Sequence, residues 1–317
     1  MSRHVTGNNG TKKQWTVWNL VMSQLQSLYK DHFGMTGRPF SGLADGSGIW
    51  WGKAHIRAQA ALEYGLLSGA AFVVLTGAAG SGKTSLLLNM IETATDDLKI
   101  AMVSGLRRGT GSVLPWILQS LGEDITGDEA ETELHGRVQN HLIGEYAAGC
   151  RVVLILDEAQ NLSTDALDEL RVLSNINTAQ DQLVQIVLCG QPTLRDHLRA
   201  PEMAGLAQRV AAWGHLAELD RVTLDGYVGM RLASAGGPED LFEPEALDMI
   251  HAATGGLPRP INQLCELALV YAMTGGGDKI GPEAITQVLE DGLFLSPLPP
   301  VPAPSTPRES RLRLAAG

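Results

Sequence analysis

No stretch of the 317-residue chain approaches the roughly 20 consecutive apolar residues that cross a bilayer, so a membrane-spanning protein is not expected. Nor are the means for a disulfide framework or a zinc site present. Cys150, Cys189 and Cys265 are odd in number and far apart, with no CxxC pair and no Cys/His cluster, which suits a reducing compartment. Met1-Ser2-Arg3 leads into Thr, Gly and Asn instead of an apolar core, so no secretory signal is expected and the N-terminus should be retained. Internal repeats are also lacking. Positive charge is scarce: the net charge is -11, and residues 1–38 hold five Lys/Arg against Asp31 while the last ten hold three Arg against Glu309, which leaves -17 on residues 39–307. Such a body repels phosphate backbones, so contact with nucleic acid would require a local basic patch. What remains, with 44% hydrophobic and 19% charged residues, is the composition of a globular protein of one large or two modest domains.

Short, β-branched runs carry the fold signal. Ala71–Leu75, Ile100–Val103, Val152–Leu156 and Leu183–Leu188 are apolar on both faces, as strands buried in a parallel sheet are. Helical patterns long enough for crossovers separate them, the first being His55–Leu67 with Ile56, Ala60, Leu62 and Leu66 pointing inward. This alternation specifies an open α/β sheet. From about Asp220 the pattern turns to helices, over Leu224–Ala235, Pro244–Ala253, Pro258–Met273 and Gly281–Asp291, which predicts a smaller all-α domain. The expected organisation is residues 1–45 as an N-terminal amphipathic helix and Gly/Pro-rich entry segment, 46–219 as the sheet domain, 220–293 as the helical domain, and 294–317 as a proline-rich disordered tail. In the first segment, Trp15, Trp18, Val21, Met22, Leu25, Leu28 and Tyr29 recur at helical steps. Their stripe either packs on the protein's own body or docks on a partner, a second subunit or a membrane surface, which Lys12, Lys13 and Lys30 would favour.

The chemistry lies at strand ends. After the first strand comes Gly77-Ala78-Ala79-Gly80-Ser81-Gly82-Lys83-Thr84, followed by Ser85 and an apolar helix. Glycines let backbone N–H groups close around a phosphate at a helix N-terminus, Lys83 reaches the β- and γ-phosphates, and the Thr84 hydroxyl ligates Mg2+, so ATP with Mg2+ is the expected ligand. The third strand ends in Asp157-Glu158, a Walker B arrangement in which Asp157 supports the metal and Glu158 polarises an attacking water. The fourth leads to Gln191, an amide placed to hold a γ-phosphate or the water, or to serve only the turn before Pro192. Cys189 reads as a small buried hydrophobe.

Together with Tyr29–Gly34 and Pro39-Phe40, the P-loop, Leu156–Leu162, Leu170–Asn175, Gly190-Gln191-Pro192, Gln208-Arg209-Val210 and Gly255–Cys265 resemble the AAA+ ATPases of the general secretion pathway A type, often called ExeA-like, with relatives in pilus and in exosortase or exopolysaccharide loci. The resemblance implies a P-loop sheet domain flanked by helices with a helical lid, a ring or partial ring of subunits, and nucleotide at the subunit boundary. By motif it makes Arg209 an arginine finger that reaches a neighbour's γ-phosphate, and Arg259 a lid arginine that touches nucleotide in its own subunit. The chain departs from the family at Thr193, where an acidic residue is common, and in the N-terminal helix, which lies upstream of the family's usual start. Secretion-type members continue into a transmembrane helix and a peptidoglycan-binding domain. Here a proline-rich segment follows the lid, so direct cell-wall binding is not expected.

The expected activity is Mg2+-dependent ATP hydrolysis, coupled to assembly or energising of an envelope system for secretion, pilus or exopolysaccharide export. The expected place is the cytoplasm, with peripheral contact at the inner membrane through the N-terminal helix. The alternative on the same chassis is a DNA-associated AAA+ regulator of the transposition or replication type.

Overall fold

A computed structural model describes residues 29–41, 50–127, 129–178 and 181–295. The N-terminal helix and the tail beyond Leu295 lie outside the described residues, apart from Tyr29 at the end of the tryptophan-bearing stripe.

Five strands form one parallel sheet: β1 (Phe72–Gly77), β2 (Leu98–Val103), β3 (Arg151–Leu156), β4 (Val184–Gly190) and β5 (Val210–Leu216). Their spatial order is β2-β3-β4-β1-β5. β5 is a correction to the four-strand expectation, which had Arg209 following the last strand, whereas Arg209 immediately precedes β5. Its sequence, VAAWGHL, mixes small residues, Gly and His and alternates between covered and exposed positions, because it is an edge strand paired on one side only, with β1. The inner strands β1, β3 and β4 were legible because both their faces are covered, whereas β2, the other edge strand, was legible from its apolar run Ile100–Val103 although only Ala101 and Val103 of it are buried.

Alternate residues of each strand face opposite layers. Phe72, Val74, Leu154, Leu156, Ile186 and Leu188 bury one face against α3 (Leu114–Ser120), α4 (Glu131–Ala147) and α5 (Thr164–Leu173), and also against Leu194 and Leu198 of α6 (Pro192–Leu198) and Leu206 of α7 (Ala204–Ala207). Val73, Leu75, Val153, Ile155, Val187 and Cys189 bury the other against α1 (Lys53–Leu67) and α2 (Lys83–Glu92). Each such aliphatic side chain contributes about 1.5–3 kcal/mol by leaving water. The buried face of α1 is His55, Ala58, Leu62 and Gly65, so of the expected inward residues Leu62 is buried, Ile56 and Ala60 are exposed, and Leu66 is only partly covered. Close approach decides this, since a Cβ on Gly65 would lie 2.3 Å from Val73 Cγ2, and only that side of the helix can sit flat on the sheet.

The helices α8 (Arg221–Ser234), α9 (Pro244–Thr254), α10 (Pro258–Gly275) and α11 (Pro282–Glu290) enclose a separate core. Asp220 begins it by accepting a hydrogen bond from the Thr223 N–H at 2.7 Å, an N-cap worth about 1 kcal/mol. Tyr29, Met35 and Phe40 join this helical core, so the described entry segment packs on the helical layer and not on the sheet. Phe294, which the sequence assigns to the tail, is buried there too, because its ring closes the end of the core.

Candidate functional site

The order of the sheet assembles the site. β4 lies between the P-loop strand β1 and the acid-bearing strand β3, so three loops from non-adjacent parts of the chain emerge side by side at the C-terminal edge. Ligands of parallel α/β sheets bind at that edge.

The P-loop connects β1 to α2. Gly82 caps α2 with φ 97°. Gly80 (φ 80°) is held by close approach as well as by its left-handed backbone: an added Cβ would lie 2.9 Å from Arg259 Cβ. Lys83 is buried, and its Nζ donates to the carbonyls of Gly77 and Ala78, each at 3.0 Å. Across the loop, Thr84 Oγ1 donates to Asp157 Oδ2 at 3.2 Å, and Asp157 Oδ1 accepts from the Glu158 N–H at 2.9 Å. The metal-binding pair expected from sequence is therefore in contact.

Glu158 is the one described non-glycine residue with positive φ, at 57°. Such backbone costs about 1–3 kcal/mol and persists where surrounding structure enforces it. It turns the chain sharply after β3, so that successive carboxylates do different things: Asp157 is buried against Thr84, while Glu158 faces the cleft. Behind them, burial and the neighbouring Asp157 push the Cys189 thiol well up, which leaves it neutral and inert.

A cleft of about 780 Å³ opens between the sheet and the helical domain. Ala79, Gly80, Gly82, Lys83, Thr84, Ser85, Glu158 and Arg259 line it, so most of the expected site shares one space. Gly77, Ala78 and Ser81 form the back of the loop, Ser81 being buried. Arg259 stands at the start of α10, where its backbone N–H donates to the Gly80 carbonyl at 3.2 Å. Pro258 and Pro260 on either side have no N–H to satisfy, so the first turn of α10 docks on the P-loop at little cost.

Two expected residues lie elsewhere. Gln191 caps α6 at the tip of β4, where its backbone N–H donates to Gln160 Oε1 at 2.9 Å, and it is not among the cleft-lining residues. Arg209 also lies off the cleft wall. Its guanidinium donates to Ser174 Oγ at 2.7 Å and to the Arg171 carbonyl at 3.2 Å, at the C-terminal end of α5, where carbonyls lack helix partners.

Residues that the sequence did not assign to the site close the cleft: Phe40, Trp50, His55, Tyr227 and Arg231. Arg231 donates to the carbonyls of Pro39 and Ser41, at 2.7 and 3.1 Å, and so holds the entry segment against the opening. His55 is buried beside the P-loop, and desolvation lowers its pKa against a backbone hydrogen bond to Ser81. The helical spacing put Ile56 inward in its place, and its partner across the fold was not readable either.

The residues fit a phosphate-bearing nucleotide. The buried polar atoms Trp50 Nε1, His55 Nδ1 and Ser81 Oγ have no hydrogen-bond partner among the described residues, and all three belong to the walls or the loop of this cleft. Buried polar groups are rarely left so unless a ligand or water serves them. Among the described residues no cluster of three or more His, Cys, Asp or Glu could hold a metal. Thr84 and Asp157 alone are the donor set of an ion that keeps its waters and shares phosphate oxygens, the habit of Mg2+.

Comparison with known proteins agrees with this geometry. The AAA domain family matches residues 66–198. The fold resembles that of Cdc6p from Pyrobaculum aerophilum (TM-score 0.60, 18% identity, 80% of this chain and 70% of that one). It likewise resembles the ORC2 protein of Aeropyrum pernix in its ADPNP-ADP complexes (TM-score 0.57, 19% identity, 80% and 71%). Sheet, loop and lid thus define an AAA+ P-loop ATPase. Within that class the chain belongs with the general secretion pathway A, or ExeA-like, type: it is 36% identical over 253 residues to general secretion pathway protein A of Aeromonas hydrophila. The match takes in 80% of this chain and 46% of the relative, so the chain spans about half of that protein's length.

Proposed function

We propose that this chain binds ATP with Mg2+ in the cleft and hydrolyses it, and that the cycle drives assembly or energising of an envelope system for secretion, pilus or exopolysaccharide export. The observation that carries the chemistry is the contact of Thr84 with Asp157 beside a buried, carbonyl-held Lys83. Lys83 leaves its two carbonyls for the β- and γ-phosphates. Thr84 and Asp157 hold the metal, which when bound draws charge from the phosphate oxygens. Glu158, facing the cleft, accepts the proton of the attacking water. Gln191 orients the γ-phosphate or that water when the tip of β4 moves toward the site. Arg259 reaches the phosphates of its own subunit from the lid, and Arg209 those of a neighbour.

The 36% identity to general secretion pathway protein A supports the envelope role. The partner is accordingly a protein of such a system, and the setting is the cytoplasmic face of the inner membrane. No helix among the described residues is long and apolar enough to cross a membrane. The N-terminal helix is the proposed contact with the membrane surface or the partner.

Glu158→Gln tests the chemistry. It retains Asp157 and the shape of the side chain, so ATP affinity, followed with a fluorescent nucleotide, should stay within a few-fold while phosphate release falls by at least about a hundredfold. Turnover near wild type would sink the assignment.

A further inference from the structure

We propose that Gln160 is a positioning residue that ties the Glu158 carboxylate to the tip of β4, so that the orientation of the water-activating group depends on where β4 ends. The inference rests on the role given to Glu158 above and adds a residue to it.

One amide makes both bonds. Gln160 Nε2 donates to Glu158 Oε2, and Gln160 Oε1 accepts the Gln191 N–H at 2.9 Å. Gly190 is without a side chain for this reason: a Cβ there would lie 2.6 Å from Gln160 Oε1 and 3.2 Å from the Gln160 backbone nitrogen. The turn that carries Gln160 is itself pinned. The Asn161 N–H donates to the Glu158 carbonyl at 2.9 Å, Asn161 Nδ2 donates to the Leu106 carbonyl at 2.9 Å, and the Asn161 carbonyl accepts the Gly109 N–H at 2.9 Å.

The chemistry of the amide suits the task. An arginine or lysine at this position would pair with Glu158 and neutralise the base, and a hydroxyl is too short to span both partners. A neutral amide grips one carboxylate oxygen and leaves the charge in place. Glu158 Oε1 then remains without a partner among the described residues, on a side chain that faces the cleft. The left-handed backbone at Glu158 sets the direction of the side chain, and Gln160 holds its far end. Movement of the β4 tip is transmitted through the Gln191 N–H to that carboxylate in two hydrogen bonds.

Gln160→Met keeps the length and loses both bonds, whereas Gln160→Glu keeps an acceptor for Gln191 and sets a second carboxylate against Glu158. Both should lower kcat for ATP hydrolysis about tenfold or more, with KM and the Kd of a fluorescent ADP analogue within about twofold and melting of the nucleotide-bound protein little changed. Gly190→Ala, which leaves the amide intact but pushes it aside, should reproduce the kcat loss. A Gln160→Met enzyme with wild-type kcat, or one whose loss lies in KM and melting temperature, overturns the proposal. The two readings separate cleanly. An inactive Glu158→Gln beside a fully active Gln160→Met removes only the positioning role, while a fully active Glu158→Gln removes the base itself and the positioning role with it.

Discussion

His55 shows how a single buried side chain writes a pH dependence into the fold. Desolvation beside the P-loop lowers its pKa below the ordinary histidine value, so the unfolded chain takes up the proton first as the medium is acidified. Its contribution to stability is therefore complete above the unfolded pKa of about 6.5, declines as pH falls below it, and levels off once the lower folded pKa is passed. A His55→Gln variant should lose less melting temperature than wild type between pH 7.5 and 5.5. Equal slopes would mean that other groups carry the acid sensitivity. Lys83 makes a complementary case: because its ammonium is buried on two carbonyls, Lys83→Ala should weaken nucleotide binding itself and not only turnover, as a fluorescent-nucleotide titration would show.

At the scale of elements, the segment leading into α8 meets the helical layer backbone to backbone at Leu219 and Gly256. The Leu219 N–H donates to the Gly256 carbonyl at 2.9 Å, and an added Cβ on Gly256, whose φ is 76°, would lie 2.1 Å from the Leu219 carbonyl oxygen. Backbone against backbone cannot give way as two side chains can. Gly256→Ala should therefore destabilise the protein by about 2–4 kcal/mol, measured by denaturant unfolding, through strain and a displaced lid. A change under about 1 kcal/mol would show that this contact relaxes freely. The same junction sets the lid on the nucleotide loop, since α10 follows Gly256 directly and its Arg259 N–H reaches Gly80.

At the scale of the whole molecule, the cleft is bounded on two sides by one chain, and Arg209 lies off its wall, bonded to Ser174 and Arg171. On the role proposed for it, Arg209 would act on a nucleotide only in an assembly, where a neighbour's γ-phosphate would compete for it with two neutral acceptors. Specific ATPase activity should then rise with protein concentration, as the associated fraction grows. Arg209→Ala should bind nucleotide normally, hydrolyse poorly, and regain part of its activity when mixed with Lys83→Ala subunits, which present an intact finger to a working P-loop. Activity per subunit that stays flat while sedimentation shows the oligomer dissociating would place Arg209 outside catalysis.

The residues proposed to bind phosphate and metal were readable in the chain because the pattern that marks them is local. Gly77–Thr84 is one contiguous loop between a strand and a helix, and Asp157-Glu158 ends a run that is apolar on both faces. The inner strands β1, β3 and β4 were legible for the same reason, since burial on both sides leaves an unbroken apolar signature. Tertiary structure alone decided the rest. β5 was hidden because an edge strand needs only half its residues covered. The inward face of α1 depended on Gly65 meeting Val73, and the cleft wall of Trp50, His55 and Arg231 depended on a lid that folds back across nearly two hundred residues of sequence, as the Arg231 bond to Pro39 does. The bridge from Glu158 through Gln160 to Gln191 was equally out of reach, because parallel pairing, and not proximity in the chain, sets β3 beside β4.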